Sequence, residues 1–279
     1  MSEVGIFLVP GAEEHEGTVA KAIAADEAGL DYVAVQDHPY QRRFLDTWTF
    51  LAYVAGRTER VRLVPDVLNL PLRLPSIIAK SAASLDLLSG GRVELGIGAG
   101  TFWEAVEAMG GPRRTPKESV DALEEAIAIL RAFWSGERSA TVEGEHYRVS
   151  GAKPGPTPAH PIGLWIGAYG PRMQRLTGRL GDGWLPSLGD HYLSPDDVPQ
   201  MQARIDEAAR RAGRDPTAVK RVVNVMTLVG EPDGWPDQLI RAAQLGFETL
   251  LVGVPENDPV GFIRRLGEEV APRVRETAG

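Results

Sequence analysis

Asp66-Val67-Leu68-Asn69-Leu70-Pro71-Leu72-Arg73, the stretch 75–89, and Gly90-Gly91-Arg92-Val93-Glu94-Leu95-Gly96-Ile97-Gly98-Ala99-Gly100 together decide the fold. They read as the end of a strand, a polar loop, a helix, a second strand and a glycine loop. Over 75–89, Ile78, Ala82, Leu85 and Leu88 recur at spacings of four, three and three, which predicts one apolar helix face. Pro75 near the start and Gly90 past the end fit the usual asymmetry of helix termini. The result is one βαβ unit, and in such units small molecules bind at the carboxyl ends of the strands.

The same rhythm extends in both directions. Strands are expected at 4–9, 32–35, 61–67, 93–97, 161–167, 184–186, 219–229 and 249–254. Helices are expected at 18–28, 47–56, 75–89, 117–134, 171–181, 194–212, 235–245 and 258–276. Eight strand–helix pairs in 279 residues predict an α/β fold, a (β/α)8 barrel occupying 1–279 as one domain. Two connections exceed the minimum. Residues 101–116 follow the fourth strand and carry Phe102, Trp103 and Met109. Residues 135–158 follow the fourth helix and contain a small hairpin, 140–150, around Glu143-Gly144-Glu145.

Composition narrows the partners. Formal net charge is −8 with no basic block, which argues against nucleic acid. No cysteine is present, so disulfides, thiolate catalysis and iron–sulfur ligation are excluded. Met1-Ser2-Glu3 leads directly into a strand without a basic and apolar leader, and no run has the length of a membrane span. A cytoplasmic protein without membrane contact is expected. Metal ligation is poorly supported, because His15, His38, His146, His160 and His191 are scattered. Neither a nucleophile elbow nor a Walker A loop occurs.

Four places could carry chemistry. Asp37-His38 follows the second strand, where an imidazole beside a carboxylate suits proton transfer; a capping Asp37 and a structural His38 fit equally well. Asp66-Val67-Leu68-Asn69 could set backbone and the Asn69 amide against a planar heterocycle, or could be a plain strand end. Gly98-Ala99-Gly100 exposes backbone but lacks the Rossmann spacing, since Thr101 and then Phe102-Trp103 follow. Gly167-Ala168-Tyr169-Gly170-Pro171-Arg172 precedes a helix whose N–H groups could receive a phosphate, with Arg172 as counter-charge; a short turn with a solvated arginine is the simpler reading.

Taken together, these segments resemble the bacterial luciferase-like monooxygenase superfamily of flavin- and deazaflavin-dependent oxidoreductases. The match runs through Ala28-Gly29-Leu30-Asp31-Tyr32, Asp37-His38, Leu70-Pro71-Leu72-Arg73 and the whole of Leu85-Asp86-Leu87-Leu88-Ser89-Gly90-Gly91 to Gly100. It continues at His146-Tyr147, Pro161-Ile162 and Gly181-Asp182-Gly183-Trp184.

The resemblance implies a barrel holding coenzyme F420, an 8-hydroxy-5-deazaflavin, or alternatively FMN at its carboxyl-terminal mouth. It implies a cis Asp66–Val67 bulge and Asn69 against the ring. Phosphate contacts are implied along Gly98-Ala99-Gly100 and from Gly167, Ala168, Tyr169 and Gly170 to Arg172. Asp37-His38 resembles the pair found in F420-dependent members, with His38 expected to exchange a proton and Asp37 to tune it or bond the cofactor. Thr101 stands where the sugar-phosphate dehydrogenases of the family carry a glutamate, and Glu104 is the nearest carboxylate. Thr101, Phe102, Trp103 and Glu104 are expected to shape the substrate pocket.

The expected function is hydride transfer between F420 and a small organic substrate. Alternatives are an FMN monooxygenase using reduced flavin and O2, or a non-catalytic flavin carrier. Homodimers are expected, being frequent in the family.

Overall fold

A computed structural model describes residues 2–189 and 192–277; His191 lies outside the described residues. Parallel strands form a ring. It runs β3 (Arg62–Pro65), β2 (Tyr32–Val35), β1 (Glu3–Leu8), β12 (Thr249–Gly253), β11 (Lys220–Val225), β9 (Gly183–Trp184), β8 (Leu164–Ile166), β5 (Leu95–Gly98) and β4 (Leu68–Asn69). β10 (Ser187–Leu188) pairs with β11. β3 and β4 are two halves of the third barrel strand, interrupted at Asp66-Val67. A parallel bridge between Leu63 and Val93 joins β3 to the approach of β5 and closes the ring. The architecture is the (β/α)8 barrel expected from the alternation.

Period-two alternation sorts the strand side chains. Phe7, Tyr32, Ala34, Val64, Trp165, Leu185, Val222 and Leu251 pack together inside the barrel. Their neighbours in sequence, such as Leu8, Val33, Leu63 and Val223, face the helices. The amino-terminal end is plugged by charge. Arg62 meets Glu3 at 2.7 Å, Lys220 also bonds Glu3, and Lys220 Nζ donates to the Tyr32 hydroxyl at 3.2 Å. The opposite end is therefore the open one.

The outer helices follow their sequence signals. α1 (His15–Glu27), α2 (Thr47–Ala55) and α3 (Pro75–Ser89) cover the first three strands. α3 ends at Gly90, whose φ of 74° is a left-handed cap that suits glycine. Ile78, Ala82 and Leu85 are buried as the spacing predicts, but Leu88 is 86% exposed. It lies about 60° further round the helix than Leu85, which carries it off the packed face. Asp86 is buried instead, accepting from the N–H groups of Val93, Ala159 and His160.

The fourth connection contains α4 (Trp103–Ala108), a six-residue helix with no counterpart in the sequence reading. One short turn carries too little periodicity to register. α5 (Pro116–Trp134) then opens with a reciprocal cap between Thr115 and Glu118. β6 (Ala140–Val142) and β7 (Val149–Ala152) form the expected hairpin. α6 (Pro171–Leu180), α7 (Val198–Arg211) and α8 (Trp235–Gln244) complete the middle of the outer layer. The single closing helix expected at 258–276 divides into α9 (Pro259–Arg265), a π-turn at Leu266–Val270 and α10 (Ala271–Thr277). Among the described residues, no helix is long and apolar enough to cross a membrane.

Candidate active site

β2 delivers Asp37 and His38 to the open end of the barrel, and their side chains do different things. Asp37 is 1% exposed and faces Arg73, which binds it in a fork at 2.6 and 3.1 Å. Asp37 also accepts the Asn69 N–H at 2.7 Å. Burial pushes its carboxyl above the usual aspartate range, and the Arg73 charge opposes this. Arg73 reaches onward to Asp46 at 2.7 Å. Both Asp37 oxygens are thus engaged by protein donors, and the residue ties the second strand to the loop after the third.

His38 lies half-buried among aromatic rings. Its imidazole stacks on Tyr40 with centroids 5.4 Å apart and meets the edge of Phe102 at 5.6 Å. Burial pushes the imidazole below the usual histidine range, with the Asp37 charge pulling the other way. A neutral ring with a free nitrogen lone pair follows at neutral pH. The Tyr40 hydroxyl is buried without a hydrogen-bond partner among the described residues. Its pKa is pushed up to about 12 by burial and by the Asp37 charge, so it stays a phenol.

The break in the third strand forms one wall. The Asp66–Val67 peptide is cis, as the resemblance implies. Asp66 and Asn224, 7% and 4% exposed, meet through Asn224 Nδ2 and Asp66 Oδ1 at 3.2 Å. Asn224 Nδ2 also donates to the Ser187 hydroxyl at 3.2 Å. Asp66 Oδ2, Asn69 Oδ1 and Asn224 Oδ1 are buried without partners among the described residues. Unpaired buried acceptors are costly, so their gathering around one strand end requires an explanation.

The two glycine loops have distinct tasks. A Cβ on Gly98 would lie 2.9 Å from Val67 Cγ2, and one on Gly167 would lie 3.3 Å from both Val67 methyls. These glycines make room for the Val67 side chain. Gly170 is different: nothing lies within 4 Å of its Cβ position. It precedes α6, whose N-terminus has no side-chain cap. Ala168 is buried, with its carbonyl accepting the Trp184 indole N–H at 2.8 Å. Tyr169 accepts the Ser187 N–H at 2.9 Å. Arg172 contacts Asp121 and the Lys117 carbonyl. Ala99 packs partly against the core, while Gly100 has a φ of 101°. Thr101, Phe102 and Glu104 are exposed, and Trp103 is half-buried at the start of α4.

Arg73, Tyr40, Ser187 and Asn224 were given no role by the sequence reading. Asn224 had a signal: in Val222-Val223-Asn224-Val225 it is the polar residue on the inward-facing alternation. Arg73 stood within a recognised segment, but its partner lies 36 positions away.

The fold and site define a (β/α)8 barrel whose buried polar and aromatic groups gather at the carboxyl ends of its strands. Residues 2–260 match the model of the luciferase-like monooxygenase family, and the chain belongs to that family. It is 29% identical over 320 residues to the F420-dependent glucose-6-phosphate dehydrogenase of Nakamurella multipartita, covering 92% of both proteins. It is 33% identical over 237 residues to the F420-dependent hydroxymycolic acid dehydrogenase of Mycobacterium tuberculosis, covering 82% of this chain and 63% of that protein. The structure of an F420-dependent secondary alcohol dehydrogenase in complex with an F420-acetone adduct superposes with a TM-score of 0.87. That superposition covers 98% of this chain and 99% of the other at 20% identity, a likeness of fold.

Proposed function

We propose that the protein is an F420-dependent dehydrogenase that oxidises a carbinol carbon of a small organic substrate. The observation that carries the reading is a pair of buried polar groups without partners among the described residues, the Tyr40 hydroxyl and Asn69 Oδ1, at the mouth beside the broken third strand. A polar heterocycle at that wall fits this donor and acceptor set. The uncapped α6 N-terminus beside the open Gly170 fits a phosphate at the other end. The names of the curated relatives favour F420 over FMN.

When bound, the deazaflavin accepts a hydride at its C5 position. The chain supplies position and proton management. Val67, Asn69 and the Gly98-Ala99-Gly100 loop would hold the ring. Gly167, Ala168, Tyr169 and Gly170 bring main-chain groups to the phosphate side. His38, neutral through burial, takes the substrate hydroxyl proton as the hydride leaves the adjoining carbon. Asp37 acts at one remove, fixing Arg73 and the Asn69 backbone. Phe102 and Trp103 shape the substrate side, with Thr101 and Glu104 at its solvent edge. The protein works in the cytoplasm as a homodimer, with residues 1–279 as one domain.

Titrating the apo-protein separately with F420 and FMN, following fluorescence, tests the cofactor. Tighter binding of F420 and its reduction by secondary alcohols or sugar phosphates are expected. Preference for FMN with consumption of O2 would establish the monooxygenase reading instead. F420 binding with no turnover would establish a carrier.

Gly170→Val probes the phosphate end. Its φ of −80° and open Cβ position let valine fit the fold. The added branch would crowd the approach to the first-turn N–H groups. Hydrogen bonds to charged groups are worth about 1.5–3 kcal/mol, so F420 affinity should fall roughly 10- to 100-fold at unchanged melting temperature. Unchanged affinity in a folded variant would place the phosphate elsewhere.

A further inference from the structure

Asp66 and Asn224 present four side-chain polar atoms to each other's neighbourhood, and only two are satisfied as an ionised pair. Asn224 Nδ2 donates to Asp66 Oδ1 at 3.2 Å, while Asp66 Oδ2 and Asn224 Oδ1 are both buried acceptors without a partner among the described residues. Two orphaned acceptors on the two members of one hydrogen bond have a single economical remedy. A proton on Asp66 Oδ2 can be donated to Asn224 Oδ1, closing an acid–amide ring. We propose that Asp66 is a neutral carboxylic acid paired with Asn224 in this way, and that binding of the cofactor at the adjoining wall is coupled to retention of its proton. The second half of this proposal rests on the F420 reading; the first does not.

The surroundings agree. β2 offers Asp66 only the Val35 carbonyl, which accepts its N–H at 2.7 Å. β11 offers the Asn224 amide, and β10 the Ser187 hydroxyl one bond further on. The titratable group facing the carboxyl is the Tyr169 phenol, whose own ionisation is opposed by burial and by a charge on Asp66. Arg73, the cation of this mouth, is spent on Asp37 and Asp46. Among the described residues no cation pairs with it, and burial pushes Asp66 up to about 7. An anionic cofactor covering the wall would remove the remaining water and add negative charge, both of which favour the protonated acid. Binding at a pH above 7 should therefore draw a proton from solution.

The isosteric Asp66→Asn keeps a donor toward Asn224 Oδ1 and removes the titration. In the apo-protein, folded Asp66 holds its proton while the unfolded chain releases it, from the ordinary aspartate range up to about pH 7. Across that window the folding constant of the parent should fall about tenfold per pH unit relative to Asp66→Asn, and the gap should level off above pH 7. Denaturant unfolding of both proteins at pH 5, 6, 7 and 8 reads this directly. A pH-independent gap, or an Asp66→Asn chain that fails to fold, would overturn the acid–amide pair.

Calorimetry with F420 at pH 8, in two buffers of different ionisation enthalpy, reads the coupling. The parent should take up about one proton more per F420 bound than Asp66→Asn does, and subtraction removes any proton belonging to the coenzyme itself. Equal proton counts would overturn the coupling. Failure of the parent to bind F420 would overturn the cofactor reading and the coupling with it, and failure of Asp66→Asn alone would overturn the coupling, while the unfolding series still decides the pair.

Discussion

His38→Ala is expected to lower turnover by roughly 10²–10⁴-fold while leaving F420 affinity largely intact, the usual effect of removing a positioned general base. The expectation rests on a neutral imidazole held between Tyr40 and Phe102 at the mouth. His38→Asn should be similarly slow, because it keeps a hydrogen bond but has no group that titrates near neutrality. The pH profile separates a base from a packing residue. Burial lowers the His38 ionisation, so kcat/KM in the parent should be fully developed at neutral pH. It should fall as pH drops through a value below the ordinary histidine figure of about 6.5. Neither variant should show that acid limb. Parent-like rates and an unchanged profile in both would make His38 structural and pass the proton to Glu104, water or the substrate.

Arg73→Ala is the change expected to cost the most stability. It leaves the Asp37 carboxylate, 1% exposed, with the Asn69 N–H as its remaining partner. Breaking a buried ion pair from one side costs about 3–5 kcal/mol. The loss should depend on pH in a definite direction. Burial already raises the folded Asp37 pKa above its unfolded value, and without Arg73 the rise is larger. Below the ordinary aspartate range the acid is protonated in both states and the variant should lose least. As pH rises toward neutrality the deficit should grow. Urea unfolding at pH 4 and pH 7 measures it, and an equal deficit at both would show that Arg73 contributes packing rather than charge.

Much of the frame was legible because its signals are local. The bounds of α3 and β2 fall at 75–89 and 32–35, where proline, glycine and β-branched residues mark them. Elements without such marks were misread in extent. The strand expected at 219–229 stops at Val225, and the third strand, expected to run through 67, breaks directly after Pro65. Arg172 reads as a phosphate ligand because it is next to a helix start; its contact with Asp121, 51 positions earlier, is not legible in the sequence.

The sequence by itself determined the barrel, the family and the end of the barrel at which the chemistry gathers. Hydrophobic period and helix punctuation act between residues a few positions apart, and they survive in a linear reading. Only the tertiary structure decided which polar groups meet. Asp37 neighbours His38 in the chain yet bonds Arg73, because β2 turns the two side chains in different directions as it ends. Asp66 finds Asn224 across 158 positions, because barrel closure sets the third strand's end and the seventh's at one level, both side chains pointing inward. Register between distant strands is a property of the closed ring, and the chemistry of this site depends on that register.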